Sequence, residues 1–366
     1  MTNKLVLENL KHRPMRSLLS ILLIAVPVTL ILCLIGLSRG LLEDSQNRSR
    51  GVGADVIVRG STASSVVGSS AATIHEGLVR RLEEQPGVKL ALGVVVHPIE
   101  QPLNLMGVDM DKFNLMSGGF TYLEGGPLQG DHDVLIDRLY ASQKKVGVGG
   151  TLKIMNQDWR VAGIIEGGKL ARLVVKKSVL QELNAATGKV SVIYVKCDDP
   201  TQAAAVAAQL RTLLSDGYPV ITMEEFLAMF NVNGIPGLRE FIWVIVGIGI
   251  VIGFAVVCLS MYMAVLQRTR EIGILKSLGA SKGLILRVIL SEALMLGVGG
   301  TILGIVMSYG AYYLIRTLVP ASIPMIIVKE WWPIAGAVTI VGAMLGALYP
   351  GLTAARHDPI EALAYE

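Results

Sequence analysis

Four long uncharged apolar stretches constrain this chain more than any other feature of its sequence. Each runs for more than 20 residues without Asp, Glu, Lys, Arg or His. A helix needs about 20 residues to cross a hydrocarbon core of about 30 Å, and buried helices of soluble proteins rarely stay uncharged for so long. The sequence therefore predicts four transmembrane helices, at residues 17–38, 241–267, 293–315 and 331–355.

The first stretch raises the alternative of a cleaved signal peptide, because basic residues precede it. Its 22 residues exceed the usual 7–15 of a signal peptide, and no small-residue cleavage site follows. Composition agrees with a retained anchor in a membrane protein, since 52% of the residues are hydrophobic and only 17% are charged. Such a composition argues against a disordered chain and against a wholly soluble enzyme.

Lys and Arg concentrate in short segments beside the apolar stretches. Ten Lys and Arg residues lie in segments 1–16, 268–292 and 356–366 together, whereas segment 316–330 holds two. By the positive-inside rule, both termini and segment 268–292 are predicted to be cytoplasmic, and segments 39–240 and 316–330 to face outward. The amphipathic N-terminal segment is predicted to form a helix on the inner membrane surface. Nothing in this charge pattern indicates a nucleic-acid partner.

The long segment 39–240 has the pattern of one α+β domain. The predicted elements are a strand at 54–58, a helix from Thr73 to Gln85, a strand at 134–136, a helix at 137–145, a hairpin of 151–155 and 159–164, a strand at 190–196 and a helix at 200–214. A Ser/Ala/Gly-rich loop is expected at 61–73 and a return linker at 231–237. The predicted fold is thus a membrane protein with four transmembrane helices, arranged 1+3, and one large extracytoplasmic α+β domain between the first and second spans.

Several functional classes lack the sequence features that they need. The spans contain no Asp, Glu, Lys, Arg or His, and the chain shows no internal repeat, which argues against a secondary transporter with a midplane site. Gly163–Lys169 matches G-x-x-x-x-G-K, but Leu170 stands where a P-loop has Ser or Thr. Asp131-His132-Asp133 is interpreted as a solvated turn, and no His or Cys spacing indicates a metal site. We therefore predict no catalytic constellation and no ATP hydrolysis by this chain alone.

The segment between the second and third spans is the most informative one. After Arg268 and Arg270, Ile272–Leu278 has apolar residues on one helical face but is too short to cross a membrane. Gly279 suits a helix C-terminus and Ser281 the start of the next helix. Exposed apolar residues on a short cytoplasmic helix either need a partner protein or pack against the chain's own spans.

This segment, RTREIGILKSLGA, resembles the cytoplasmic loop of ABC permeases of the MacB/FtsX/LolC-LolE superfamily, often written R-x-R-E-I-G-I-L-[KR]-[AS]-x-G-A. Further blocks are similar to the family in the same order along the chain. They are LENLKHRPMRSLLSILLIAV, GADVIV, the run 123–163 with DVLID and VGVGGTLKI, and the ending YPGLTAARHDPIEAL at 349–363. The resemblance covers essentially the whole chain, with Gly351 where the family often has Ala.

The resemblance implies a permease without an ATP site of its own. Family members pair as dimers, bind two cytoplasmic ATPase subunits that hold ATP and Mg²⁺, and relay ATP-driven motion to the periplasmic domain. It thus implies no cofactor in this chain, a location in the bacterial inner membrane, and as partners an ABC ATPase, a second permease copy or paralogue, a periplasmic adaptor and membrane lipid. The residues implied to dock the ATPase are Glu271, Ile272, Gly273, Ile274, Leu275, Lys276, Leu278, Gly279 and Ala280, with Arg268 and Arg270 at the membrane exit.

Three functional classes remain open within this resemblance. The chain could be an export permease that works with an adaptor, or a permease that extracts lipid or lipoprotein. The third class is an FtsX-like signalling protein that activates a periplasmic hydrolase and transports nothing. Neighbouring genes would discriminate them, because an adaptor gene favours export and a hydrolase or divisome gene favours signalling.

Overall fold

The structure, a computed structural model, describes residues 14–60, 74–100, 103–214, 217–229, 237–318 and 324–356. The chain divides into two compact units, one of residues 1–38, 237–315 and 325–366, the other of residues 39–236 and 316–324. Residues 1–13 of the predicted surface helix, the loop at 61–73, most of the 231–237 linker and the tail from residue 357 lie outside the described residues.

The helices and strands alternate only in the second unit. The helices are α1 (Pro14–Arg50), α2 (Gly77–Glu83), α3 (Met110–Ser117), α4 (Arg138–Lys144), α5 (Lys177–Leu183), α6 (Ala203–Leu214), α7 (Met223–Met229), α8 (Leu238–Gln267), α9 (Thr269–Ser277), α10 (Lys282–Leu318) and α11 (Trp332–Arg356). The strands are β1 (Val56–Arg59), β2 (Ile74–His75), β3 (Val88–Glu100), β4 (Leu103–Val108), β5 (Tyr122–Gly125), β6 (Asp133–Asp137), β7 (Thr151–Ile154), β8 (Gln157–Ile165), β9 (Leu173–Lys176), β10 (Lys189–Val190), β11 (Val192–Cys197) and β12 (Val220–Thr222).

The four predicted apolar stretches lie in α1, α8, α10 and α11. Each of these helices is long and apolar enough to cross a bilayer. With the mixed-sheet unit inserted between α1 and α8, they confirm the predicted fold of four membrane helices and one α+β domain.

Small residues let the membrane helices approach closely. A Cβ added to Gly304 of α10 would lie 2.7 Å from side-chain atoms of Val28 on α1, and Thr29 donates a hydrogen bond to the Gly304 carbonyl at 3.1 Å. On α11, a Cβ added to Gly346 would lie 2.5 Å from the carbonyl oxygen of Phe254 on α8. Close backbone contact of this kind is the usual basis of helix association in membranes, where lipid tails are as apolar as the side chains.

The second unit is built on one mixed sheet. In its described part the strand order is β12-β1-β11-β3-β4-β9-β6-β8-β5, with β7 also paired to β8, and β10 and β2 form a separate two-stranded ladder. The β4–β9 and β6–β8 pairs are parallel, whereas β1 pairs antiparallel with both β11 and β12.

Both faces of this sheet are covered, as the alternation of side chains along its strands requires. Val56 and Val58 of β1 point into a core with residues of α2, α4, α5 and α6, whereas Ile57 points into a core with residues of α3 and α7. Trp159 and Phe113 are among the largest fully buried side chains, one in each core. The sheet is therefore the middle layer of an α/β/α sandwich.

The structure corrects the predicted helix from Thr73. Ile74 and His75 form a strand that pairs with β10, and α2 begins only at Gly77. Ile74 is fully buried, so its place in the core outweighs the local capping pattern. The Glu76 side chain bonds to Lys177 and to Gln181 instead of capping the helix.

Two other predicted elements also differ in detail. The hairpin turns at Met155 and Asn156, which both have positive φ, and not over residues 156–158. This two-residue turn matches the twist of the flanking strands. The predicted strand at 190–196 is divided at Ser191, whose hydroxyl accepts a hydrogen bond from the Val96 amide at 3.0 Å.

Residues 282–292, which the sequence assigned to the cytoplasmic segment between the second and third spans, are helical, as the predicted start of a helix at Ser281 implies. They form the first turns of α10, where Ile285 and Ile289 pack into the core of the helical unit.

Candidate functional site

The short helix α9 connects α8 to α10 and contains most of the residues predicted to dock an ATPase. It starts at a sharp corner, where Arg268 has φ −118° and ψ 14° and ends α8. The Thr269 hydroxyl donates to the carbonyls of Val265 and Leu266 at 3.1 and 2.9 Å, which satisfies acceptors at the end of α8. The hydrogen bonds of Thr269 therefore stabilise the junction between α8 and α9.

The C-terminus of α9 has a fixed geometry. Gly279 adopts φ +92°, its amide donates to the Lys276 carbonyl, and the Ala280 amide donates to the Leu275 carbonyl at 3.0 Å. These two bonds define a Schellman motif, which needs a left-handed residue and so favours glycine. Ser281 then caps α10 through its side chain, which accepts a hydrogen bond from the Leu284 amide at 3.3 Å. The predicted roles of Gly279 and Ser281 are both confirmed.

The two faces of α9 have different environments. Gly273 is buried and Ile272 packs against the core of the helical unit. On the opposite face, Ile274 and Leu275 are each 45% exposed and Leu278 is 80% exposed. Together with exposed Glu271, these residues follow the i, i+3, i+4, i+7 spacing of one helical face. We call the three exposed residues Ile274, Leu275 and Leu278 the apolar face of α9.

An ion pair that the sequence did not predict holds the corner before α9. Arg268 lies 3.5 Å from the carboxylate of Glu292, and both side chains are largely buried. Arg268 is thus a structural residue of this corner as well as a basic residue at the end of a span. Glu292 lies 24 residues after Arg268, and the helix α10, which begins at Lys282, brings it to Arg268. The exposed Arg270 lies outside this pair.

The Gly163–Lys169 match lacks the geometry of a P-loop. The strand β8 ends within it, and the next element is the strand β9, whereas a P-loop presents its amides at a helix N-terminus. The Lys169 ammonium donates to the carbonyls of Ser117 and Gly119 at 3.1 and 2.5 Å. This lysine therefore caps the C-terminal end of α3, where the helix dipole favours a positive charge.

In the Asp131-His132-Asp133 segment, both aspartates form ion pairs within the sheet domain. Asp133 accepts two hydrogen bonds from Arg160, at 2.8 and 2.9 Å, and two from the amides of Gln129 and Gly130. The Arg160 guanidinium and these amides hold the pKa of Asp133 well below its ordinary value. Asp131 pairs with Lys176 at 3.0 Å. No group of three or more His, Cys, Asp or Glu residues able to hold a metal occurs in the described part of the chain.

Two family models match the chain. The model for the MacB-like periplasmic core domain matches residues 17–213, and that for the FtsX-like permease C-terminal matches residues 243–359. The second match includes the whole of α9 and the helices on both sides of it.

Similar proteins share most of the length of this chain. The uncharacterized ABC transporter permease YknZ of Bacillus subtilis is 27% identical over 99% of this chain and 98% of its own length. The macrolide export ATP-binding/permease protein MacB of Hahella chejuensis is 26% identical over 97% of this chain, which spans only 58% of that protein.

Solved structures similar to the chain are those of isolated domains. The periplasmic region of MacB from Actinobacillus actinomycetemcomitans matches 48% of this chain and 92% of its own, with a TM-score of 0.35 and 14% identity. The extracellular domain of YknZ from Gram-positive bacteria matches 45% of this chain and 98% of its own, with a TM-score of 0.35 and 16% identity. From the two family models, which together take in both the domain and the membrane helices, the chain belongs to the ABC transporter permeases of the MacB/FtsX type.

Proposed function

We propose that this chain is the membrane subunit of an ABC transporter and relays the motion of a separate cytoplasmic ATPase to its extracytoplasmic domain, for export or for extraction of lipid or lipoprotein. The observation that carries the proposal is the apolar face of α9. Ile274, Leu275 and Leu278 are exposed on or directly after a short helix whose C-terminus is fixed by the Schellman hydrogen bonds. Exposed leucine and isoleucine on so short a helix require a partner surface.

Several observations support an energy source outside this chain. The only G-x-x-x-x-G-K match lacks the following Ser or Thr, and its lysine bonds to backbone carbonyls. A permease of this family has an ATPase partner, and we propose that this partner binds ATP and Mg²⁺. A second permease copy would supply the second ATPase contact, and a periplasmic adaptor and membrane lipid would be further partners.

Co-purification with the cognate ATPase tests the docking role. Ile274→Asp and Leu275→Asp would place a charge where the partner surface excludes water, so we expect loss of the complex and of its ATP hydrolysis. Membrane insertion should persist, because both residues lie outside the buried core of the helical unit. Lys169→Ala is the matched control and should leave hydrolysis by the complex unchanged. The proposal would be contradicted if the Ile274→Asp and Leu275→Asp variants form the complex and hydrolyse ATP normally while Lys169→Ala loses hydrolysis.

We also propose that both termini and α9 are cytoplasmic and that the sheet domain is periplasmic, in a bacterial inner membrane. The Lys and Arg distribution supports this orientation. Ser142 and Ser281 are both exposed, one in the domain and one beside α9. In intact cells, an impermeant thiol reagent should label Ser142→Cys and not Ser281→Cys, with the unsubstituted chain as background. The reverse pattern would overturn the orientation. Ser191 is unsuitable as a labelling site because it is fully buried.

A further inference from the structure

Four charged side chains form a closed ring at the C-terminal end of α1, inside the sheet unit. Asp44 and Arg48 lie one turn apart on α1, Asp137 ends β6, and Arg172 directly precedes β9. Arg48 pairs with Asp44 and, at 3.9 Å, with Asp137. Arg172 pairs with Asp44 at 3.1 Å and with Asp137 at 3.8 Å. We call these four residues the charge ring.

The charge ring is largely buried. The Asp137 and Arg172 side chains are 2% and 5% exposed, and the Arg48 and Asp44 side chains are 15% and 24% exposed. Burial raises the pKa of Asp137, against the opposing effects of the Tyr140 amide, which donates to it at 2.7 Å, and of the two guanidinium groups. Two carboxylates and two guanidiniums balance in charge. Removal of one carboxylate would leave two guanidiniums with one carboxylate between them, and such an unbalanced charge is unfavourable where water is largely excluded.

A strained backbone segment holds the same end of α1. The Leu170 amide donates to the Arg48 carbonyl at 3.1 Å, and Leu170 itself has φ +55°. Gly168, at φ +100°, lies so close to Gly51 that a Cβ on Gly51 would overlap its carbonyl oxygen. Leucine rarely adopts positive φ, and such strain persists only where surrounding contacts determine the conformation. The helix end is thus held by backbone contacts as well as by charge.

We propose that the charge ring is a rigid joint, which makes the last turns of α1 and the strands β6 and β9 move as one body. The ring joins two positions one turn apart on the helix to two separate strand ends. Rotation of α1 about its axis or sliding along it would therefore break at least one pair. The inference rests on the proposed function, since a joint transmits motion only if α1 moves. On this view, the four residues of the charge ring position α1 against the sheet while motion is relayed to the domain.

Hydrogen exchange of the full chain in lipid nanodiscs, without nucleotide, tests the joint directly. Asp44→Asn should speed exchange of the amides of residues 45–50 and 170–174 together, by about a hundredfold, with β7 unchanged. Gly51→Ala should act on the same two segments without a change of charge. Asp131→Asn, which removes an exposed paired carboxylate, is the control and should leave both segments unchanged.

Two results would overturn the joint. One is unchanged protection of both segments in Asp44→Asn and Gly51→Ala. The other is loss of protection throughout the sheet in both variants, because the ring would then be a general determinant of domain stability and not a local joint.

Hydrogen exchange of the ATPase complex distinguishes failure of the joint from failure of the proposed function. In the wild-type complex, trapping the ATP-bound state should alter exchange in β6 and β9. Asp44→Asn should abolish this difference while ATP hydrolysis continues. A full nucleotide-dependent difference in Asp44→Asn would overturn the joint. If the wild-type complex shows no difference, the proposed relay of motion is wrong, and the nucleotide-free measurement still decides whether the joint exists.

Discussion

Leu278 should contribute more to ATPase binding than any other residue of the apolar face of α9. It is 80% exposed, against 45% for Ile274 and for Leu275, so docking can remove more of its surface from water. Full burial of a leucine is worth about 1.5–3 kcal/mol, so Leu278→Ala should cost about 1–2 kcal/mol of binding free energy. That loss corresponds to a dissociation constant raised about 5–30-fold, and Ile274→Ala or Leu275→Ala should raise it about 2–5-fold.

The assay is a titration of the nanodisc-embedded permease with its purified ATPase. Leu278 follows the last helical residue of α9 and lies outside the buried core of the helical unit, so its substitution should leave the fold intact. Leu115→Ala is the matched control, because Leu115 is 73% exposed but lies in the sheet domain on α3. Equal weakening by Leu115→Ala, or wild-type affinity in Leu278→Ala, would refute the argument from exposed area.

Substitutions at three other sites, with their controls, test the packing and electrostatics of the structure. Gly346→Ala should lower the free energy of unfolding of the detergent-solubilised chain by about 1–3 kcal/mol, because the added Cβ would meet the backbone of Phe254. Gly253→Ala is the control: its Cβ would enter open space, so the substitution should be neutral or stabilising. Asp133→Asn should destabilise the chain at pH 7 and flatten its acid denaturation profile. The lowered pKa of Asp133 means that its stabilisation is complete above the unfolded value of about 3.9 and is lost as the pH falls below it. Gly279→Ala should weaken ATPase binding, because residue 279 has φ +92°, where alanine is strained. Gly279→Asn should weaken binding less, since asparagine tolerates that conformation. Equal effects of the two substitutions would argue against the backbone explanation.

The membrane helices, the C-terminus of α9 and the start of α10 could be predicted from sequence because their causes are local. Hydropathy over about 20 residues identifies a span wherever it lies in the fold. Gly279 and Ser281 likewise report a backbone conformation and a capping bond that each residue makes with its near neighbours. Periodicity grouped Ile272 with the other apolar residues of α9, whereas the structure packs Ile272 inward and leaves Ile274, Leu275 and Leu278 exposed.

The charge ring and the Arg268–Glu292 pair could not be predicted, because each joins residues that are far apart in sequence. Asp44 and Arg48 are four residues apart, but Asp44 and Arg172 meet only after the sheet has formed, and nothing in the local pattern of either residue marks it. Glu292 lies 24 residues after Arg268, and local pattern does not pair them. The turn at Met155 was missed for a different reason, since methionine is not a residue that sequence rules associate with positive φ.

The position of β1 in the sheet has a consequence for biosynthesis. β1 is the first strand of the domain to be made, yet its two neighbours are β11 and β12, which are near the domain's end. A nascent chain therefore presents β1 with both hydrogen-bonding edges open until residues 192–222 have emerged, and an open edge is a template for wrong pairing. The closure of such a long loop is also slow. Assembly of this sheet must wait for nearly the whole domain, so truncation before β11 should yield an aggregation-prone chain and not a smaller folded one.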